Sequence, residues 1–226
     1  MGDVVSLLDR EVYVLSQVDR LLDIASGTAK RWIDGYKRRD QMYEPLVRSE
    51  PTGSDIVTWG EFVETRLIAE YRRHGVNVAR MRPAIMALRE EFGTSYPLAT
   101  AEPFLSTEGR ELVMRVQGET GLRPSLCFVV RNQQSLLDLS MEVRRFQQDA
   151  DYEDSPEVRR LRLLGTSTVV MDPEYGFGEP TIKGRRLRVS AIAEALEAGE
   201  SRQEIKSLWS ITDEMVDDAL RCSRVA

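Results

Sequence analysis

The sequence predicts a mainly α-helical α+β protein with small β elements, and three observations lead to this fold class. Apolar residues recur at spacings of three and four over much of the chain, as in amphipathic helices. Capping patterns such as Thr58-Trp59-Gly60-Glu61 open several of these segments. Short β-branched runs, such as residues 126–130, lie between the helical ones. With 226 residues, the chain is long enough for one large domain or two small ones.

The composition is that of a soluble globular protein, with 42% hydrophobic and 30% charged residues. No apolar run approaches the roughly 20 residues that span a bilayer. The first residues carry acids and lack the pattern of a signal peptide. The two cysteines, Cys127 and Cys222, imply no disulfide framework. These observations predict a cytoplasmic protein that does not contact a membrane.

The sequence shows no set of nucleophile and base, so we do not expect an enzyme. The single histidine, His74, lies at a predicted helix end, where a solvated role is the simpler interpretation. Two separated cysteines and one histidine do not make a zinc site. Gly176 and Gly178 lack the rest of a nucleotide-binding motif and indicate a turn. The nearby acids Asp172 and Glu179 suit either a metal or, more commonly in such turns, backbone hydrogen bonds. No cofactor and no metal are therefore predicted.

Charge is distributed unevenly along the chain, whose formal net charge is −6. Residues 194–218 contain eight acids and two bases, a balance equal to the whole net charge. Residues 26–48 contain six bases and three acids, a balance of +3. The N-terminal part is thus suited to phosphates, and the C-terminal part would repel them.

The N-terminal part is predicted to form a helix, a turn and a second helix. The first helix begins near Ser16, a good N-cap, and the turn covers Asp23 to Ser26. Ser26 is expected to cap the second helix, and Gly35 to end it. A basic run follows the second helix. The candidate DNA-binding residues on the exposed face and in that run are Thr28, Lys30, Arg31, Lys37, Arg38 and Arg39.

This part resembles the N-terminal helix-turn-helix of MerR-like regulators, through the pattern Y-x-L-S-x-V-x-x-L-L-x-I-x-x-x-T-x-x-x-W-I-x-G from residue 13. The resemblance implies that the second helix enters the major groove, with Thr28, Lys30 and Arg31 towards DNA. Trp32 and Ile33 would pack inwards. A plain helical hairpin with a solvated basic face is the alternative.

The centre of the chain is predicted to link this head to a small α/β region. A connector with a short strand at 46–48 precedes a helix that runs from Thr58 to about Arg73. The next helix starts near Arg80 or kinks at Pro83, because proline lacks a backbone donor. Its apolar stripe indicates either ordinary core or a dimer seam, and consists of Val78, Met81, Ile85, Leu88 and Phe92. Further on we expect a hairpin about residues 106–109, a buried strand at 126–130, a helix at 133–148 and an acidic linker at 149–156.

The C-terminal part has the densest local signals. A strand over 161–171 precedes a turn rich in Gly and Pro, a short strand and a basic flank, and three short helices follow. Ser190, the capping box Ser201-Arg202-Gln203-Glu204, and Thr212 with Asp213 are predicted to open those helices. The pattern D-P-E-x-G-x-G-x-P-x-I-x-G-x-R-x-x-V and the helices after it resemble the family named domain of unknown function 433, over residues 169–220. The predicted segments are residues 1–54, 55–95, 96–150 and 157–226.

The combination of both resemblances is similar to the larger VapB-type antitoxins. It implies an antitoxin that neutralises a PIN-domain ribonuclease toxin and represses its own operon by binding operator DNA as a homodimer. The bases that would meet the acidic metal-binding cluster of the nuclease are Lys183, Arg185, Arg186 and Arg188. A solvated strand flank is the alternative for these bases. For the protein, the alternatives are a stand-alone regulator that senses a small molecule between residues 98 and 130, and an adaptor that binds no DNA.

Overall fold

The structure, a computed structural model, confirms an α+β fold in which helices combine with small antiparallel sheets. It describes residues 6–73, 77–100, 146, 148–152 and 155–223. Within these ranges, no helix is both long enough and apolar enough to cross a membrane. The hairpin expected about residues 106–109, the strand at 126–130 and most of the helix at 133–148 lie outside the described residues.

The N-terminal head consists of a helix pair, a hairpin and a two-stranded sheet. Its elements are β1 (Glu11–Val14), α1 (Leu15–Leu21), α2 (Thr28–Ile33), β2 (Tyr36–Arg38), β3 (Gln41–Tyr43) and β4 (Ile56–Thr58). Strand β1 pairs antiparallel with β4. Strands β2 and β3 form a hairpin in which Arg38 pairs with Gln41, so the turn is the dipeptide Arg39-Asp40. This hairpin was not predicted, because a two-residue hairpin turn usually contains Asn or Gly.

Two predicted helix caps in the head are wrong. Helix α1 begins at Leu15, before Ser16, and the side chain of Gln17 accepts from the backbone N–H of Val14. Helix α2 begins at Thr28 and not after Ser26. The cap comes from another helix: both carboxylate oxygens of Asp19 accept 2.7 Å hydrogen bonds, from the backbone N–H groups of residues 27 and 29. The predicted end of α2 is confirmed, with Gly35 at a φ of +72°.

Two further helices carry the centre of the described structure, α3 (Trp59–Arg73) and α4 (Arg82–Phe92). The predicted capping box is present at the start of α3: Glu61 accepts from the Thr58 N–H at 3.0 Å, and its own N–H donates to the Thr58 hydroxyl at 3.3 Å. Pro83 lies in the first turn of α4, where its missing donor is tolerated. Met81, Ile85 and Leu88 are buried within this chain, so the apolar stripe is ordinary core.

The predicted strand at 46–48 is absent. The backbone N–H groups of Leu46 and Val47 both donate to the carbonyl of Trp32, at 2.7 and 3.0 Å. The segment therefore packs irregularly against the end of α2, and both side chains are buried.

The C-terminal part is a four-stranded antiparallel sheet followed by three helices. Its elements are β5 (Ala150–Asp151), β6 (Arg160–Arg162), β7 (Val169–Met171), β8 (Thr181–Ile182), α5 (Val189–Glu197), α6 (Arg202–Trp209) and α7 (Asp213–Ser223). The strands lie in chain order, β5-β6-β7-β8. The beginning of the predicted acidic linker, 149–156, is instead part of this sheet, since Ala150 and Asp151 pair with β6.

The helix caps of this part agree with the sequence at two of three positions. In α6 the Ser201 hydroxyl accepts from the Glu204 N–H at 3.3 Å, and Glu204 accepts from the Ser201 N–H at 2.8 Å. Thr212 accepts from the Met215 N–H at the start of α7. Ser190 is not a cap, because α5 begins one residue earlier, at Val189.

The head and the C-terminal part pack against one another through a continuous apolar core. The Trp59 indole donates to the Val158 carbonyl at 2.7 Å. The Tyr13 hydroxyl donates to the Gly178 carbonyl at 2.6 Å. Strand β1 thus lies against the Gly-rich turn of the C-terminal part.

Candidate functional surfaces

The exposed face of α2 carries fewer free bases than its sequence suggests. The Thr28 side chain is largely buried, with the residue 8% exposed, and its hydroxyl accepts from Arg31 at 2.9 Å. Lys30 forms an ion pair with Asp34 at 2.7 Å. Arg31 is exposed, and within the described residues no carboxylate lies within ion-pair distance of it. Of the three predicted helix residues, Arg31 is the one that projects a base towards solvent without a carboxylate partner.

The three other predicted bases of the head lie on the hairpin. Lys37 and Arg38 belong to β2, Arg39 opens the turn with a φ of +56°, and all three are exposed. The rings of Tyr36 and Tyr43 stack across the hairpin base, with centroids 4.6 Å apart and planes 5° apart. This pair stiffens the hairpin that presents the three bases.

A cleft of about 640 Å³ separates the hairpin and α2 from the end of α3. Its walls include Arg31 and Trp32 from α2, the tyrosine pair of the hairpin, and Arg72 from α3. Arg31 and the base of the hairpin therefore border one concave surface. We call Arg31, Lys37, Arg38 and Arg39 the head surface.

Beneath the head surface lies a buried ionic network that the sequence did not indicate. Arg48, counted among the basic residues, is enclosed, and it bonds Asp34 at 2.8 Å and Glu61 at 2.6 Å. Burial disfavours the Asp34 carboxylate, yet its hydrogen bonds from Lys30, Thr52 and Arg48 prevail and lower its pKa. The network ties α2, the segment after β3 and the start of α3 into one unit. Arg48 is thus a structural residue and is not available to DNA.

The Gly-rich turn between β7 and β8 is held firmly in place. Asp172 accepts from the Glu174 N–H at 2.8 Å and pairs with Arg160 at 2.7 Å, so this acid has the predicted backbone role. The Tyr13 hydroxyl donates to the carbonyl of Gly178 in this turn. Burial, and to a lesser extent the charge of Asp172, raise the pKa of Tyr13, so its hydroxyl keeps the proton that it donates. A Cβ on Gly178 would collide with Val12 and lie 2.8 Å from the Tyr13 oxygen. The turn therefore requires glycine at this position.

The four predicted partner-binding bases follow β8, and all are exposed. Lys183, Arg185 and Arg186 line a cleft of about 680 Å³, whose opposite wall is built from β5 and β6. Arg188 pairs with Glu179 at 3.4 Å. In the part of the chain that the structure describes, the other three bases have no carboxylate within 4.0 Å. We call this region the basic cleft.

Two aromatic side chains beside the basic cleft, Tyr175 and Phe177, were not among the predicted site residues. The guanidinium of Arg186 lies 5.0 Å from the centre of the Tyr175 ring, and Phe177 is 88% exposed with a φ of +55°. An aromatic residue between two glycines of a tight turn was the available signal, but the sequence alone did not show that it points into solvent.

The three C-terminal helices are anchored to the sheet by Asp218 of α7. This buried carboxylate accepts from the backbone N–H groups of Ser167 and Thr168, each at 2.9 Å. Burial is the largest influence on its pKa and would raise it, but these hydrogen bonds prevail and lower it. Cys222 is buried nearby, and burial raises the pKa of its thiol to about 12.

Comparison with known proteins agrees with this architecture. Residues 169–221 match the family described as Protein of unknown function (DUF433), which confirms that resemblance. Over 220 residues the chain is 39% identical to uncharacterized protein Rv2308 of Mycobacterium tuberculosis, covering 96% of this chain and 92% of that protein. The chain belongs to the same protein family as Rv2308.

Two more distant similarities cover nearly the whole chain. Putative antitoxin VapB45 of Mycobacterium tuberculosis is 28% identical over 226 residues, with 94% of this chain and 93% of that protein covered. The X-ray crystal structure of Rv2018 from the same organism superimposes with a TM-score of 0.72 at 24% identity, covering 95% of this chain and all of that one. The latter similarity shows a shared fold.

Proposed function

We propose that this protein is the antitoxin of a bacterial toxin–antitoxin pair, which acts by binding and not by catalysis. Its C-terminal part binds a PIN-domain ribonuclease, and its head binds the operator DNA of its own operon. A relative named as a putative antitoxin, alignable over nearly the entire chain, supports the class of function.

The observation that carries the proposal is the basic cleft. Lys183, Arg185 and Arg186 are exposed, whereas residues 194–218, which follow them, have a charge balance of −6. No carboxylate of the described residues lies within 4.0 Å of these three bases, because the acids of the opposite wall, Asp149, Asp151 and Asp172, pair with Arg160 and Arg162. A cluster of carboxylates on a partner, such as the metal-binding acids of a nuclease, would supply the missing charges and steer association. Occupation of that acidic cluster would block the nuclease.

The head surface supports the DNA-binding half of the proposal. A helix pair followed by a stiff basic hairpin is suited to place α2 near the major groove and the hairpin bases near phosphates. Because Thr28 is buried and Lys30 is paired, we assign the contacts to Arg31, Lys37, Arg38 and Arg39. One head covers a single half-site, so the protein is proposed to bind as a homodimer.

Two double variants and one shared control test the two halves separately. The cleft variant combines Lys183→Ala with Arg186→Ala, and leaves Arg185 to bond the Trp209 carbonyl. The head variant combines Arg31→Ala with Arg38→Ala. The control removes two bases of α6 that face acids within the chain, and consists of Arg202→Ala and Lys206→Ala. Each of the three variants therefore loses two positive charges.

Each purified protein is titrated against the product of the adjacent gene, which is assayed for ribonuclease activity, and against upstream DNA. The cleft variant should bind the ribonuclease at least about 10-fold more weakly and bind DNA normally. The head variant should inhibit the ribonuclease normally. It should bind DNA more weakly. In a plot of the logarithm of affinity against the logarithm of salt concentration, the magnitude of the slope should fall by about 1 for each lost phosphate contact. The control should resemble the parent protein in both assays.

The antitoxin part and the DNA-binding part of the proposal can each be refuted separately. A parent protein that leaves the ribonuclease fully active contradicts the antitoxin assignment. Equal DNA affinity of the parent protein and the head variant removes the head surface from consideration. Light scattering of the free protein measures whether the homodimer exists.

A further inference from the structure

The most exposed large apolar side chains of the described residues lie on the C-terminal part. Phe177 is 88% exposed and Leu208 is 66% exposed. Phe177 is unusual in a second respect, because its φ of +55° is a conformation that L side chains rarely adopt. An aromatic residue gains stability by burial and avoids this backbone conformation, so nothing in the isolated chain favours phenylalanine here. Such a combination points to a contact outside the chain.

The turn that carries Phe177 is fixed before any partner arrives. On one side the Gly178 carbonyl accepts from Tyr13, and on the other the Pro173 carbonyl accepts from Arg10 at 3.0 Å. The Gly178 N–H also bonds the Tyr175 carbonyl at 3.2 Å within the turn. A side chain held on a rigid turn loses little freedom on binding, which favours tight association.

Two contacts tie the bases of the cleft to the segments that carry Phe177 and Leu208. Tyr175, two residues before Phe177, lies beneath the guanidinium of Arg186 at 5.0 Å from the ring centre. Arg185 donates to the carbonyl of Trp209, the neighbour of Leu208, at 3.1 Å. Arg186 thus contacts the turn that carries Phe177, and Arg185 contacts the end of the helix that carries Leu208. We call Tyr175, Phe177, Arg185, Arg186 and Leu208 the anchor band.

We propose that the anchor band is the contact surface for the ribonuclease, with Phe177 as its central anchor and Leu208 as a second one. This inference rests on the proposed function and names the residues of that same surface. Phe177 enters an apolar pocket of the partner protein, and Arg185 and Arg186 meet its carboxylates. The balance of −6 over residues 194–218, which include Leu208, disfavours a nucleic acid as the occupant, because it repels phosphates.

Aromatic and arginine side chains dominate the energetics of protein interfaces, whereas most surrounding contacts contribute little. We therefore expect the loss of affinity to concentrate at Phe177. Removal of its side chain should weaken binding of the ribonuclease about 30-fold or more, which is the range of an interface hot spot. Leu208→Ala should weaken binding about 10-fold.

The test uses Phe177→Gly in the full-length protein. Glycine accepts a φ of +55° without strain, so the variant should unfold at the same temperature as the parent protein or at a higher one. Met42→Ala is the matched control, because Met42 is also exposed and apolar but lies on the head hairpin. Titration calorimetry measures affinity for the ribonuclease, and a mobility shift measures affinity for upstream DNA.

The expected result is a large loss of ribonuclease affinity for Phe177→Gly with parental unfolding temperature and DNA binding, and no loss for Met42→Ala. Parental ribonuclease affinity of Phe177→Gly overturns this inference and leaves the proposed function intact. A loss of DNA affinity alone would reassign the band to nucleic acid and also overturn it. A parent protein that does not bind the ribonuclease overturns the proposed function and this inference together.

Discussion

Replacement of Asp34 by alanine is predicted to destabilise the protein by about 3 kcal/mol. The carboxylate is almost fully enclosed and accepts hydrogen bonds from Lys30, Arg48, Thr52 and Gly53. Removal of one partner from a buried ion pair typically costs about 3–5 kcal/mol. The lower end applies here, because Arg48 keeps Glu61 and the exposed backbone donors regain water.

The measurement is urea unfolding of the full-length variant, with Asp55→Ala as the control. Asp55 lies 4.0 Å from Lys30 but its side chain is 79% exposed, so its loss should cost less than about 0.5 kcal/mol. The low pKa of Asp34 adds a dependence on pH: its stabilisation is present above its unfolded pKa and is lost as pH falls through the folded one. Equal stability of the two variants at pH 7 would refute the role of the buried network.

Three further variants test other parts of the structure. Gly178→Ala should destabilise more than Gly165→Ala in the same urea assay: both residues have positive φ, but only at 178 does the new methyl group collide, with Val12, whereas Gly165 faces open space. Burial raises the pKa of Glu64 to about 7 although the Arg89 charge opposes it, so the folded state retains a proton that the unfolded state releases. Stability should consequently fall as pH rises from about 4.5 to 7, by on the order of 1 kcal/mol per pH unit, and Glu64→Gln should abolish that slope; an unchanged slope would contradict the assignment. Ser201→Ala should cost about 1 kcal/mol through loss of the α6 cap, and a change below about 0.3 kcal/mol would show that the capping box is dispensable.

The sequence determined those features whose signals lie within a few residues of one another. The capping boxes at Thr58 and Ser201, the end of α2 at Gly35 and the position of Pro83 in a first turn depend on local backbone geometry. The same holds for the turn between β7 and β8 and for the match of residues 169–221 to its family, since that motif is one continuous segment.

Only the tertiary structure decided which charged residues are available to partners. Arg48 and Lys30 form ion pairs with Asp34, whereas Arg38 and Arg186 are exposed. The sequence does not distinguish these four bases. Whether each base is paired or exposed depends on carboxylates that the fold brings close to it.

The caps and contacts that position the candidate surfaces are likewise remote in sequence. Asp19 caps α2 by accepting from the backbone N–H of Ala29, ten residues further along the chain. The Tyr13 hydroxyl donates to the Gly178 carbonyl, 165 residues away in sequence. Periodicity and propensity indicate which residues of one segment face the core and which face solvent. They carry no information about which distant segment will supply a donor or an acceptor. Only the folded chain therefore shows which of the predicted bases are paired and that Phe177 is exposed.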